Sequence, residues 1–273
     1  MNDDELTSAH TTAIELAQWA VDTTATIALG EIATKSNPAD LVTDVDTGIE
    51  RHVRAVIGER FPSHAFVGEE YGGVARQGVP TWYLDPVDGT TNVANGMPWS
   101  AFSLALAIDD EPVLAVVADP WLREVFDARV GRGARLDGRQ LPVPGALSLS
   151  GSIVSTELAG HRPWAGMRAL CDELADRYCT VRVMGSGTLS LVGVAAGRGA
   201  GAVIGSFSAV DHLAATLIVH EAGGAVLAES GETSLFPADG GILVAAPAVA
   251  AELHALWASA VPAASTPSAV PVP

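Results

Sequence analysis

The stretch "WYLDPVDGTTN", residues 82 to 92, limits what this chain can fold into more than any other. An apolar, strand-like run delivers two carboxylates, Asp85 and Asp88, into a tight turn. Two acids placed so close at the end of a buried strand repel each other, and burial adds to the penalty of charging them. Something positive therefore belongs between them. Pro86 fixes φ and removes a donor, which stiffens the turn. Gly89 permits a tight bend or a close ligand approach. Thr90, Thr91 and Asn92 follow as the opening of a helix whose N–H groups face an anion.

Further acids occur where elements begin or end: Asp46, Glu69, Glu70 and Asp211. Each has a plain reading by itself. Asp46 and Asp211 are candidate helix caps, and Glu69 and Glu70 are a solvated loop pair. Taken together they describe an all-oxygen donor set, which suits a hard cation, Mg²⁺ or Mn²⁺. Zinc is disfavoured, because the seven histidines are scattered and no HxxxH or CxxC spacing occurs.

The 15 basic against 32 acidic residues give a net charge of −17. That balance argues against a nucleic-acid partner or an anionic membrane surface, both of which need clustered Lys and Arg. It leaves room for a small anionic substrate held through metal. No apolar run reaches the roughly 18–20 residues of a membrane span, and the acidic start "MNDDELTSAH" lacks the features of a signal peptide. Cys171 and Cys179, placed on one helix, are about 12 Å apart, too far for a disulfide. A reduced, cytoplasmic protein is the expectation.

Periodicity predicts a helix over 5–29, a polar loop over 35–46, and a second helix from Asp46 or Thr47 to about Arg60. Short strands follow at 64–70 and 81–85. A strand meander spans 100–108, 112–120 and 123–130, and the stretch 131–140 is turn-rich. After about residue 150 strands alternate with helices at 164–178, 186–197, 211–223 and 247–260. The fold class expected is mixed α/β, with residues 1–150 as an α+β metal and phosphate domain, 151–260 as an α/β substrate domain, and 261–273 as a disordered Pro/Ala/Ser-rich tail.

Four segments, in order and spacing, resemble the inositol monophosphatase family of metal-dependent phosphatases: "KSNPADLVTDVD" (35–46), "VGEE" (67–70), "WYLDPVDGTTN" (82–92) and "VDHLAATLIVHEAGG" (210–224). The resemblance covers about residues 5–260. It implies a layered α-β-α-β-α sandwich of the sugar-phosphatase type. It also implies hydrolysis of a small phosphorylated substrate by a metal-activated water, with no phosphoenzyme. Carried over position by position, Glu69, Asp85 and the carbonyl of Val87 match a first metal site. Asp85, Asp88 and Asp211 match a second, and Glu69 also holds a third, weaker metal, so two or three Mg²⁺ ions are implied. Gly89 and Thr90 match the phosphate-cradling turn. Thr90, with Asp46 or Glu69, matches the group that orients the attacking water. A homodimer is expected from the resemblance.

The alcohol side departs from the family pattern. Val210 stands in place of a Trp, Ile204 where inositol-specific members carry a hydroxyl-binding Glu, and Gly187 in place of an Ala in the loop Gly185–Ser186–Gly187. With Asp88, these are the expected substrate contacts. The reading is a phosphatase of a small polyol or sugar-alcohol phosphate. The alternatives are a histidinol-phosphate, fructose-1,6-bisphosphate or bisphosphate-nucleotide phosphatase, and an inactive metal-binding homologue.

Overall fold

The computed structural model describes residues 1–26, 30, 32–142 and 145–261. Its layers follow from strands that are buried on both faces. In β4 (Thr81–Asp88) and β5 (Ala101–Ile108) successive side chains point to opposite sides. Trp82, Leu84, Phe102, Leu104 and Leu106 join one apolar cluster, and Tyr83, Ala101, Ala105 and Ala107 join another. Both faces being apolar, the strands read as continuous hydrophobic runs rather than as polar–apolar alternation.

The first cluster is completed by α1 (Asp3–Thr26) and α2 (Asp44–Arg60). The second is completed by α5 (Gly187–Ala195) and α6 (Ala209–Glu221). The sheet face turned toward α6 is lined by small alanines, which lets the helix approach closely. The seven-stranded sheet runs β3-β4-β5-β6-β7-β8-β9, with β3 (Ala65–Gly68) parallel to β4 and the remaining pairs antiparallel. Its outer members are β6 (Glu111–Asp119), β7 (Glu124–Arg129), β8 (Ala134–Leu136) and β9 (Arg139–Gln140).

On the far side of α5 and α6 lies a five-stranded sheet. Its order is β11 (Thr180–Arg182), β10 (Ile153–Thr156), β12 (Gly201–Ile204), β14 (Ile242–Ala245) and β13 (Ala225–Ala228). Its outer face is covered by α4 (Met167–Asp176) and α7 (Ala250–Ala260). The stack is therefore α1/α2, sheet, α5/α6, sheet, α4/α7, the α-β-α-β-α sandwich expected.

Several boundaries differ from expectation. The first helix begins earlier, at Asp3, and residues 27–29 lie outside the described residues, as does the tail from 262. The loop over 35–46 ends in a short strand, β2 (Leu41–Thr43), paired with β1 (Ile32–Thr34). Helix α2 starts at Asp44, because Thr43 and not Asp46 is its cap. Asp46 occupies the third helical position and accepts the Thr43 N–H at 2.9 Å, completing a reciprocal capping box. Asp211 is likewise inside α6, which Ser208 precedes. The stretch 131–140 holds β8 and β9, and Cys179 falls beyond the end of α4, with both thiols free. Among the described residues no helix is long and apolar enough to cross a membrane.

Helix α6 packs against β4, β5, β6 and β7 on one side and against α5 and β13 on the other. Leu217, fully buried in this layer, should lose about 2–5 kcal/mol of stability as Leu217→Ala, read from urea unfolding midpoints. A change below about 1 kcal/mol would mean that the middle layer is loosely packed.

Candidate active site

The cleft opens where β4 ends against the first turns of α5 and α6, and it encloses about 810 Å³. Strand β4 runs on past Asp85 to Asp88, but its register with β5 shifts between those residues. The one extra residue forms a bulge between the two acids at the cleft end of the strand. Val87 N–H donates to Asp85 Oδ1 at 2.8 Å, which fixes the turn. Gly89 then takes φ = 104°, and a β-carbon there would stand 3.0 Å from the carbonyls of Gly185 and Trp99. It leads directly into the short helix α3 (Thr90–Ala94).

Asp88 Oδ2 accepts from Ser186 Oγ at 2.7 Å and from Thr188 N–H at 2.6 Å, so it anchors the start of α5 to the bulge. Asp211, in the first turn of α6, is fixed through its carbonyl, which accepts from Ser103 Oγ at 3.0 Å and Thr188 Oγ1 at 2.6 Å. Glu69 lies on the turn after β3, its N–H bonded to the Leu84 carbonyl at 3.0 Å. Thr90 Oγ1 is 2.9 Å from Asp46 Oδ1 and 3.1 Å from the Val87 carbonyl. Of the two acids expected beside Thr90, Asp46 or Glu69, it is Asp46 that is hydrogen-bonded to it.

Electrostatics follow from this gathering. Burial, then Glu69, Asp211 and Asp88, push the Asp85 carboxyl far above the usual range. Burial and then Asp211 raise Asp88 to about 6. Burial and then Glu69 raise Asp211 to about 7. Burial also raises Asp46, against its hydrogen bonds to Thr43 and Thr90. Lys35 is the nearby cation, 2.9 Å from Glu69 and 2.6 Å from Glu70. Burial works against its ammonium, but the bonds to Glu70 and Glu69 outweigh that and hold its pKa above the ordinary value.

Lys35 is hydrogen-bonded only to the outer pair and acts on Asp211 through its charge alone. Among the described residues, Asp85, Asp88 and Asp211 face one another without a basic side chain hydrogen-bonded to any of them. Oxygen donors and mutual repulsion are what a hard divalent cation relieves, so these residues fit one. Among the described residues no three His, Cys, Asp or Glu side chains are grouped closely enough to hold a metal ion as they stand. The acids are gathered around the cleft but not drawn onto one point, and Glu69 leans toward Lys35.

The predicted substrate residues Gly185, Gly187 and Ile204 line the same cleft, and Ser186 is buried beneath it. Three contributors carry no signal in the sequence. Glu157, just after β10, accepts from Gly185 N–H at 2.7 Å and Ser190 Oγ at 2.7 Å and so holds the loop that leads into α5. Glu50, fully buried on α2, accepts from Glu70 N–H at 2.7 Å and Tyr71 N–H at 3.2 Å and holds the Glu69 turn. His212 follows Asp211 and lines the cleft. Lone glutamates whose partners lie far along the chain leave no local pattern. His212, in an apolar helix, reads as core.

A family model described as the inositol monophosphatase family matches residues 2–265. The chain belongs to that family. Inositol monophosphatase 2 of Solanum lycopersicum is 38% identical over 206 residues, 70% of this chain and 76% of the relative. Inositol monophosphatase 2 of Homo sapiens is 35% identical over 208 residues, 73% and 72% of the two chains. Among solved structures, an inositol monophosphatase from Anabaena superposes with a TM-score of 0.80 at 29% identity, covering 94% of this chain and 98% of that one. Mycobacterium tuberculosis SuhB superposes at 0.72 with 31% identity, covering 92% and 93%. Members of the family are metal-dependent phosphatases, and this chain is a phosphoric monoester hydrolase.

The raised carboxylates give a test. A carboxyl whose folded pKa lies above its unfolded value of about 4 favours the fold below that pH. The contribution is lost as pH rises through about 6 and about 7, the values of Asp88 and Asp211. His212, which burial pulls down to about 4, works in the opposite direction, so the readout is a difference. The rise in melting temperature on replacing chelator by saturating Mg²⁺ should be larger near about pH 8 than near about pH 5. An equal rise at both would mean that the cation does not engage these acids.

Proposed function

We propose that the chain hydrolyses the phosphate monoester of a small polyol or sugar alcohol, and that Glu69, Asp85, the Val87 carbonyl, Asp88 and Asp211 hold the cations. Mg²⁺ is the favoured ion, in two or three positions, with Mn²⁺ as a substitute. Bound there, a divalent cation neutralises the acids and supplies Lewis-acid polarisation of the phosphate. The observation that carries the reading is the 2.9 Å contact of Thr90 Oγ1 with Asp46 Oδ1 at the edge of the acid cluster.

With its proton given to Asp46, the Thr90 hydroxyl offers a lone pair to a proton of the attacking water. The water oxygen bonds to phosphorus as the ester P–O bond breaks. The water's proton passes by way of Thr90 to Asp46, whose raised pKa favours accepting it. The leaving alkoxide takes a proton from solvent. Gly89 and Thr90 N–H groups receive the phosphate oxygens, and Gly185, Ser186 and Gly187 border the alcohol.

Two features favour a monophosphate of modest polarity. Arg182 and Arg198, the main candidates in residues 151–260 for binding a second phosphate, line a separate cavity of about 240 Å³. Ile204, only 4% exposed, gives the alcohol pocket an apolar wall. A cytoplasmic homodimer belongs to the proposal on the family resemblance, and light scattering measures its mass.

Phosphate release from a panel of sugar, polyol and amino-alcohol phosphates, with and without Mg²⁺, tests the reading. Turnover that persists after verified removal of metal would sink it. Asp85→Asn keeps the side-chain shape but removes a ligand charge. It should lower kcat/KM by about 100-fold or more with the circular dichroism spectrum unchanged.

A further inference from the structure

Departures from the family pattern that are far apart in the sequence meet in the alcohol pocket. A β-carbon on Gly187 would stand 2.7 Å from His212 Nε2 and 3.8 Å from Ile204 Cδ1. The imidazole occupies the room an alanine methyl would need, so a β-carbon at residue 187 would displace it from this position. His212 is only 6% exposed and lines the cleft beside Asp211. Its Nδ1 accepts the Ser208 N–H at 2.9 Å. An accepting Nδ1 carries no proton, so the neutral ring has its hydrogen on Nε2. Nε2 has no hydrogen-bond partner among the described residues. A histidine serving only to cap α6 would explain the Nδ1 contact. It would not explain why the side facing Gly187 is kept open to the cleft.

We propose that His212 is a specificity-determining residue of this phosphatase site, its Nε2–H donating to a hydroxyl oxygen on the alcohol part of the ester beside Gly187 and Ile204. The proposal rests on the phosphatase reading above and narrows its substrate class. A donor set directly beside the apolar Ile204 wall fits a short-chain alcohol with a hydroxyl near the ester carbon, of the glycerol phosphate kind. A fully hydroxylated ring would bury hydroxyls against Ile204 without partners, which binding sites penalise.

Glycerol 1-phosphate and propyl phosphate share a carbon chain and differ in hydroxyls, so the ratio of their kcat/KM values in saturating Mg²⁺ isolates the contact. Wild type should favour glycerol 1-phosphate. His212→Asn keeps an acceptor for the Ser208 N–H but has nothing at the Nε2 position, and its ratio should fall about 5- to 10-fold. His212→Gln places an amide N–H near Nε2 and should recover much of the ratio. Gly187→Ala displaces Nε2 without removing the cap and should also lower the ratio, which covers the case of an Asn variant that does not fold. An unchanged ratio in the Asn or Ala variant overturns the assignment, as does an equal fall in the Asn and Gln variants. Wild type that hydrolyses both esters equally also overturns the His212 role alone. Wild type that releases phosphate from neither, while cleaving other esters of the panel, overturns the short-chain alcohol assignment, and wild type that cleaves no ester of the panel overturns the phosphatase reading itself.

Discussion

Repulsion among buried carboxylates is the constraint that the rest of the molecule accommodates. Asp85, Asp88 and Asp211 share a site where burial and neighbouring charge both oppose ionisation. Left to relax, such a cluster would splay apart. It is held by backbone: a bulge in β4 for the first two and the first turn of α6 for the third. The apolar layers on either side of the seven-stranded sheet supply the rigidity that keeps the acids facing one another.

Hydrogen bonds to the outer edges of these acids complete the restraint. The Asp88 oxygen turned toward α5 is taken up by Ser186 and Thr188, and the Asp211 carbonyl is pinned by Ser103 and Thr188. Thr188 thus touches both acids, through its N–H and its hydroxyl. Glu50 and Glu157 have a similar role farther from the centre, presenting carboxylates to backbone N–H groups of the two loops that flank the cleft. Negative charge is used as scaffold around a pocket whose own charge is negative, which accords with the net charge of −17.

The layered architecture is legible in the sequence because strands buried on both faces leave continuous apolar runs, as in β5 and β6, and because helices alternate with strands after residue 150. The acids are legible because "WYLDPVDGTTN" combines residues that no ordinary turn needs together. The start of α2 is not, because "TDVD" offers three capping residues within four positions, and only backbone geometry selects Thr43. Strands β1, β2, β8 and β9 are two or three residues long and are defined by partners rather than by pattern. Glu50, Glu157 and His212 stay hidden for a related reason: each acts on a neighbour distant in sequence or sits within an apolar helix.

The contact between Asp88 and Thr188 spans 100 positions, and that separation matters while the chain is being made. Glu69, Asp85 and Asp88 leave the ribosome early, whereas Asp211 and the start of α5 follow only after much more of the chain has been synthesised. Loop closure over such a distance comes late in folding. A nascent chain can therefore assemble the β3–β4–β5 core long before it can close the pocket. Until α5 and α6 dock, it presents an incomplete ring of acids. The gathering of Asp88 and Asp211 at one cleft therefore waits on the docking of α5 and α6.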